Sequence, residues 1–223
     1  MSKEFGNPSS DIEGYVKELF WTEDELLRNV LRECREAGLP DIQVSELDAR
    51  HLEVLARLVR ARKAVEIGTL GGYSGIFLLR GMESEGHLYT FEFSPLHAQV
   101  AHRNFKMAKF DRQVTQYVGA ALENLPTIEP EGPFDLVFID ADKGNYPMYL
   151  EWAERNLRVG GVVIGDNTFA FGKISEVGKV NELAPSVKAL HQFNSHLAKS
   201  PHFCTTIFPT GEGLTVGVKL SHP

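Results

Sequence analysis

From residue 62 onward, short apolar segments alternate with longer amphipathic ones, and this alternation constrains the fold more than any other feature. The apolar segments cover residues 63–68, 87–93, 114–119, 134–140 and 161–165. Each has the length of a buried strand, and each of the four connections between them is long enough to hold a helix. The pattern therefore predicts an α/β fold, with helices on both faces of a parallel sheet.

Two further apolar segments, 202–208 and 213–220, complete the predicted sheet in a different way. The connection between them begins at Pro209 and is only a few residues long. A connection this short joins antiparallel strands, because a parallel pair needs a long crossover. We expect a Rossmann-like sheet of seven strands, mostly parallel, with an antiparallel last strand.

Two amphipathic patterns before the first strand predict extra amino-terminal helices. Thr22 and Glu25 have the spacing of a capping box in front of the first helix, and Ser45 and Asp48 have it in front of the second. Apolar side chains recur at helical spacing after each box. These helices should pack in front of the sheet.

The 223 residues fit one domain better than two, because neither an interdomain linker nor an internal repeat interrupts the pattern. Residues 1–10 are polar and rich in helix breakers, which predicts a flexible arm. The single domain should cover residues 11–223. Within it, residues 11–61 form a helical lid region and residues 62–223 form the core.

Charge and cysteine content narrow the class of protein. The formal net charge of −7 favours solubility and disfavours nucleic-acid binding through the overall field. Cys34 and Cys204 lack metal-ligand spacing and are typical of reduced thiols. The amino terminus has no apolar signal-peptide core, and no apolar run is long enough to span a membrane. We expect a cytoplasmic protein without membrane contact.

The end of the first predicted strand predicts a small-molecule site. Glu66 is followed by a glycine-rich turn that contains Gly68 and Gly72, but Leu70 breaks the spacing of a dinucleotide site. The turn suits a ligand that carries an ammonium group and no pyrophosphate. Glu92, at the end of the second strand, can accept hydrogen bonds from two ribose hydroxyls. An ordinary strand-to-helix turn is the alternative interpretation.

Carboxylates close two other strands. Asp140 follows the fourth strand, and Asp166 and Asn167 follow the fifth. A carboxylate at the end of a buried strand needs a cation or hydrogen-bond donors. If the two strand ends are neighbours, these three residues form an oxygen site suited to magnesium, manganese or calcium. Turn and helix-capping chemistry would account for the same residues.

Three stretches follow one another in register: EIGTLGGYS (66–74), FIDADK (138–143) with Tyr146 and Tyr149, and GGVVIGDN (160–167). Together they resemble the caffeoyl-CoA and catechol O-methyltransferase family. The likeness runs from about Val44 to the carboxyl terminus.

The resemblance implies S-adenosylmethionine as cofactor, a divalent cation, a homodimer and a role for each motif residue. The implied cofactor-binding residues are Val44, Glu66, Gly68, Thr69, Gly72, Ser74, Glu92, Ala121, Asp140, Asp142 and Tyr149. The implied metal ligands are Asp140, Asp166 and Asn167. Lys143 is the implied general base and acts together with Asp140.

The implied activity is metal-dependent methyl transfer to a hydroxyl of a small catechol-like or hydroxycinnamoyl acceptor. A hydroxylated uridine of tRNA is an alternative acceptor. A nicotinamide-dependent oxidoreductase or a catalytically silent cofactor-binding protein is an alternative of another class. The family pattern is broken at Ala170, where plant-type members have tryptophan, and at Glu212, which replaces an aspartate between two glycines. The change at Ala170 predicts a reshaped acceptor pocket, whereas the change at Glu212 is mild and keeps the acid.

Overall fold

The computed structural model describes residues 10–20, 24–180 and 182–222. They contain a seven-stranded sheet in the order β3-β2-β1-β4-β5-β7-β6. The strands are β1 (Lys63–Ile67), β2 (His87–Glu92), β3 (Val114–Val118), β4 (Phe134–Ile139), β5 (Leu157–Gly165), β6 (Phe203–Phe208) and β7 (Leu214–Lys219). The helices are α1 (Ser10–Phe20), α2 (Glu25–Glu36), α3 (Glu46–Leu58), α4 (Tyr73–Gly81), α5 (Pro95–Met107), α6 (Ala121–Asn124), α7 (Tyr146–Asn156) and α8 (Pro185–Lys199).

The sheet confirms the predicted Rossmann-like architecture. Strands β1 to β5 pair in parallel, whereas β7 lies between β5 and β6 and runs antiparallel to both. The register places Ile67 beside Ile139 and Ile139 beside Gly165. The carboxyl ends of β1, β4 and β5 therefore meet at one edge of the sheet.

Alternate residues of the central strands face two separate cores. Ala64 and Leu136 belong to the cluster that packs under α2 to α5, and Val65 and Val137 belong to the cluster that packs under α7 and α8. Burial on both faces explains why these strands are continuously apolar. The predicted helix between β3 and β4 is much reduced, because that crossover holds only the four-residue α6 and a 3₁₀ turn, Leu125–Glu131.

The amino-terminal helices agree only in part with prediction. Ser45 caps α3 as expected, since its hydroxyl accepts a hydrogen bond from the Asp48 amide. Asp24, by contrast, caps α2 by accepting from the Leu27 amide, and Thr22 lies outside the described residues. The predicted flexible arm also lies outside them, apart from Ser10, the first residue of α1. Of the helices that the structure describes, none is long and apolar enough to cross a membrane.

Asp135 holds together the opposite edge of the sheet. Its carboxylate accepts hydrogen bonds from the amides of Arg62 and Lys63, each at 2.8 Å, and from Arg158 Nε at 2.6 Å. Arg158 Nη2 donates in turn to the Val59 carbonyl, 2.8 Å away, beyond the end of α3. One carboxylate thus joins β1, β4 and β5, and through Arg158 it is connected to the end of α3.

We expect Asp135→Ala to lower the free energy of unfolding by about 3 kcal/mol, because it leaves Arg158 and two amides without their charged acceptor. Urea denaturation measures this change. Glu151→Ala, which breaks the exposed pair with Arg155, is the control and should have little effect. A wild-type unfolding curve for Asp135→Ala would show that the carboxylate does not stabilise the edge.

Candidate active site

A cavity of about 930 Å³ opens at the carboxyl ends of β1, β2 and β4. Open α/β sheets bind their ligands at this edge. The predicted site residues that line the cavity are Val44, Gly68, Thr69, Ser74, Glu92, Ala121, Asp140, Asp142, Lys143, Tyr149 and Asn167. Three predicted residues, Glu66, Gly72 and Asp166, lie outside this lining.

The turn after β1 requires glycine for two reasons. Gly68 has a φ of +103°, and a Cβ atom there would lie 1.9 Å from the carbonyl oxygen of Asp140. Gly72 has a φ of +82°, and its missing Cβ leaves room for the ring of Phe105. The turn therefore passes close to the end of β4. Gly68 faces the cavity, whereas Gly72 makes the packing of α5 possible.

Glu66 lies beneath the turn rather than in the cavity. Its side chain is fully buried and accepts hydrogen bonds of 2.6 Å from the hydroxyls of Ser74 and Thr90. Burial raises the pKa of Glu66 to about 7, although the two hydroxyl donors oppose the shift. The described contacts give Glu66 a supporting role, in which it fixes the cavity-lining Ser74.

Glu92 organises the wall of the cavity. One carboxylate oxygen accepts from the amides of Thr69 and Leu70, at 3.3 and 2.7 Å, and the other accepts from the Ser94 amide at 2.9 Å. These bonds hold Leu70 at a φ of +48°. His97 Nδ1 lies 3.3 Å from the same carboxylate. Glu92 therefore fixes the glycine-rich turn and still faces the cavity.

Lys143 and Asp140 form an ion pair at the end of β4. Lys143 Nζ lies 2.8 Å from Asp140 Oδ1 and 2.7 Å from the hydroxyl oxygen of Tyr146. The Lys143 side chain keeps 18% of its area exposed, on the cavity side. The sequence analysis gave Tyr146 no role, although its hydroxyl oxygen accepts a hydrogen bond from the predicted base.

Asp166 and Asn167 follow β5 beside the end of β4, so the condition for the predicted oxygen site, neighbouring strand ends, is met. The Asp166 amide donates to the Ile139 carbonyl at 3.0 Å. Burial, and to a smaller extent the charge of Asp140, raises the pKa of the Asp166 carboxyl. Asn167 has a φ of +53° and lines the cavity. No cluster of three or more His, Cys, Asp or Glu side chains suited to a metal occurs among the described residues, and the predicted ligand set holds only two such side chains.

Asp142 and Tyr149 close another side of the cavity. The Tyr149 hydroxyl donates to Asp142 Oδ1 at 2.6 Å, and Asn145 donates to the other carboxylate oxygen. Burial, followed by this hydrogen bond to Asp142, raises the pKa of Tyr149. The hydroxyl therefore stays protonated and acts as a donor.

The loop after Asn167 presents an aromatic ring to the cavity. Phe171 is 67% exposed and lines the cavity, and its amide donates to Glu212 Oε2 at 3.1 Å. Phe169 instead packs its ring over Gly213, where a Cβ atom would lie within 2.7 Å. Both phenylalanines lie in the same short segment after Asn167. The fold gives them different positions: the ring of Phe169 packs against Gly213, whereas the ring of Phe171 faces the cavity.

The comparisons with known proteins identify the family of this chain. The O-methyltransferase family model matches residues 17–220. A catechol O-methyltransferase from Niastella koreensis is 37% identical over 210 residues, which cover 93% of this chain and 91% of the relative. A catechol O-methyltransferase from Mycobacterium tuberculosis is 38% identical over 186 residues, which cover 83% and 84% of the two chains.

A solved structure extends the likeness to the whole fold. The O-methyltransferase from Bacillus cereus in complex with SAH has a TM-score of 0.86 and 36% identity, with 94% of this chain and 97% of that chain covered. Family model, curated relatives and fold point to the same enzyme class. The chain belongs to the O-methyltransferase family.

Proposed function

We propose that this protein transfers a methyl group from S-adenosylmethionine to one hydroxyl of a catechol-like acceptor, with the help of a divalent cation. The observation that carries the proposal is that one cavity joins Glu92 and the glycine-rich turn to Lys143, Asp140 and Asn167. A cofactor and an acceptor hydroxyl can therefore be held next to each other.

The cavity residues fit S-adenosylmethionine. Glu92 offers carboxylate oxygens to the ribose hydroxyls, and Gly68 allows the ligand to approach the backbone closely. The acidic lining suits a cofactor that carries a sulfonium and an ammonium group. The relative from Bacillus cereus, whose structure holds SAH, supports the same assignment.

The donor set at the ends of β4 and β5 fits a hard divalent cation. Two carboxylates, of Asp140 and Asp166, lie close enough for one charge to raise the pKa of the other, and Asn167 adds an amide oxygen. Lys143 pairs with Asp140 and supplies only one positive charge. These three residues would hold magnesium, manganese or calcium.

The chemistry divides between the bound groups and the side chains. When bound, S-adenosylmethionine supplies the methyl group and leaves as SAH, and the cation supplies charge that favours an ionised acceptor hydroxyl. Lys143 Nζ accepts the proton of that hydroxyl and passes it to solvent. Asp140 holds Nζ in place through their 2.8 Å contact. Alignment of the reactants within the cavity contributes much of the rate.

The charge of the cavity favours a vicinal diphenol over a thioester of coenzyme A. Five carboxylates line it, against one lysine and one histidine, and no arginine occurs among the described lining residues. The carboxylates belong to Asp41, Glu92, Asp140, Asp142 and Glu212. A polyphosphate would be repelled here, and the same repulsion favours a small acceptor over tRNA. The exposed ring of Phe171 can stack on the acceptor ring. The homodimer and the cytoplasmic location stay predictions.

Glu212→Gln tests this choice of acceptor. The amide oxygen can still accept from the Phe171 amide, but the negative charge is gone. We expect kcat/KM for an anionic diphenol such as a dihydroxybenzoate to rise about threefold relative to catechol, as removal of a nearby like charge in a partly hydrated site predicts. Glu151→Gln, outside the cavity, is the control for net charge. An unchanged ratio would show that Glu212 does not select the acceptor.

Calorimetric titration with SAH and with NADH tests the cofactor assignment. We expect one SAH to bind per chain and NADH not to bind, since the turn after β1 lacks the dinucleotide spacing. Binding of NADH without SAH would favour the oxidoreductase alternative instead.

A further inference from the structure

The hydroxyl of Tyr146 lies at the junction of three elements of the site. Its oxygen is 2.7 Å from Lys143 Nζ, 3.0 Å from the carbonyl oxygen of Ile139 and 3.1 Å from that of Asp166. The side chain is fully buried. One hydroxyl thus links the proposed base to the ends of both strands that bear the proposed metal ligands.

The directions of these hydrogen bonds follow from the number of protons available. A tyrosine hydroxyl has one proton and two lone pairs, and a carbonyl can only accept. The proton of Tyr146 is therefore directed to the carbonyls of Ile139 and Asp166, and a lone pair accepts an N–H of Lys143.

Packing holds the tyrosine ring. Tyr146 begins α7, and its ring meets Phe193 of α8 edge-on, with centroids 5.4 Å apart. Lys143 Nζ lies 4.8 Å from the centroid of the same ring. A side chain fixed by two helices and two carbonyls is a rigid reference point for a flexible lysine.

We propose that Tyr146 is the positioning residue that aims Lys143 at the acceptor hydroxyl. Tyr146 and Asp140 engage two of the three N–H directions of Nζ, which leaves the third directed away from both. Because Lys143 lines the cavity, that third direction is the one open to an acceptor hydroxyl. The inference rests on the proposed function, because it gives Lys143 its role as base.

Tyr146→Phe keeps the ring and removes only the hydroxyl. We expect kcat to fall about 10- to 100-fold, as misplacement of a catalytic group predicts, with both KM values within about twofold of wild type. In a Lys143→Ala background the same substitution should cause no further loss. Tyr89→Phe is the matched control: it removes a tyrosine hydroxyl that donates to Glu131 outside the cavity, and it should leave turnover unchanged.

A second readout needs no turnover. In the NMR spectrum of protein labelled with ¹⁵N-lysine, the Lys143 ammonium signal is the one that is absent from the spectrum of Lys143→Ala. We expect the protons of this ammonium group to exchange with water at least about fivefold faster in Tyr146→Phe than in wild type. Any one of three results would overturn the proposal. The first is a wild-type kcat in Tyr146→Phe, and the second is a fall in kcat in the Lys143→Ala background as large as that in wild type. The third is proton exchange of Lys143 that is unchanged in Tyr146→Phe. If wild-type protein methylates no acceptor, the proposed function fails, and the exchange measurement still decides whether Tyr146 holds Lys143.

Discussion

Lys143→Ala is expected to lower kcat about 10²- to 10⁴-fold, the usual contribution of a general base. The affinity for SAH should stay within about twofold of wild type, because the glycine-rich turn and Glu92 contact each other without Lys143. Turnover with labelled S-adenosylmethionine and titration with SAH measure the two effects separately.

Lys188→Ala is the control for this prediction, since Lys188 lies exposed on α8 and away from the cavity. It should have wild-type turnover. A Lys143→Ala variant that turns over at the wild-type rate would remove the assigned role of Lys143. A parallel loss of SAH affinity would indicate that the lysine supports the cavity rather than the chemistry.

Asp166→Ala is expected to abolish metal-stimulated turnover, with a loss of at least about 100-fold at a fixed magnesium concentration. The substitution removes one of only two carboxylates in the proposed ligand set and leaves the glycine-rich turn intact. Binding of Mn²⁺, followed by electron paramagnetic resonance, should weaken by a similar factor. This readout does not depend on catalysis.

Asp166→Asn is a useful companion, because it keeps the size of a 96%-buried side chain and removes only its charge. Asp111→Ala, on an exposed turn before β3, is the control and should bind Mn²⁺ as wild type does. If Asp166→Ala and Asp166→Asn keep both Mn²⁺ affinity and metal stimulation, the ligands are other residues.

Most of the fold could be predicted from local sequence patterns. The apolar segments predicted the parallel sheet, and the short connection that begins at Pro209 predicted its antiparallel end. Both features can be read from the local sequence, because they depend only on hydrophobic period and loop length. The predicted strand ends differ from the observed ones by a residue or more, and β5 begins at Leu157 rather than at the predicted residue 161. The cap of α2 also differed, because Asp24 stands directly before the helix and its side chain reaches the Leu27 amide.

The site could be predicted only as far as strand ends and motif resemblance allow. Strand ends allowed Asp140 and Asp166 to be neighbours, since parallel strands end at one edge, and only the resemblance implied that they share a site. The burial of Glu66 beneath the turn depends on Thr90 of the neighbouring strand, which no local pattern indicates. The contact of Tyr146 with two strand ends, and that of Glu212 with the Phe171 amide, also join distant parts of the chain.

The most direct test of the central claim is methyl transfer from labelled S-adenosylmethionine to a panel of vicinal diphenols and their thioesters, with magnesium, manganese, calcium or a chelator present. We predict transfer to a free diphenol that requires a divalent cation and stops with the chelator. Transfer that continues unchanged in the chelator would contradict the metal-assisted mechanism. Binding of SAH without transfer to any diphenol would contradict the proposed acceptor, and hydroxylated tRNA would be the next substrate to test.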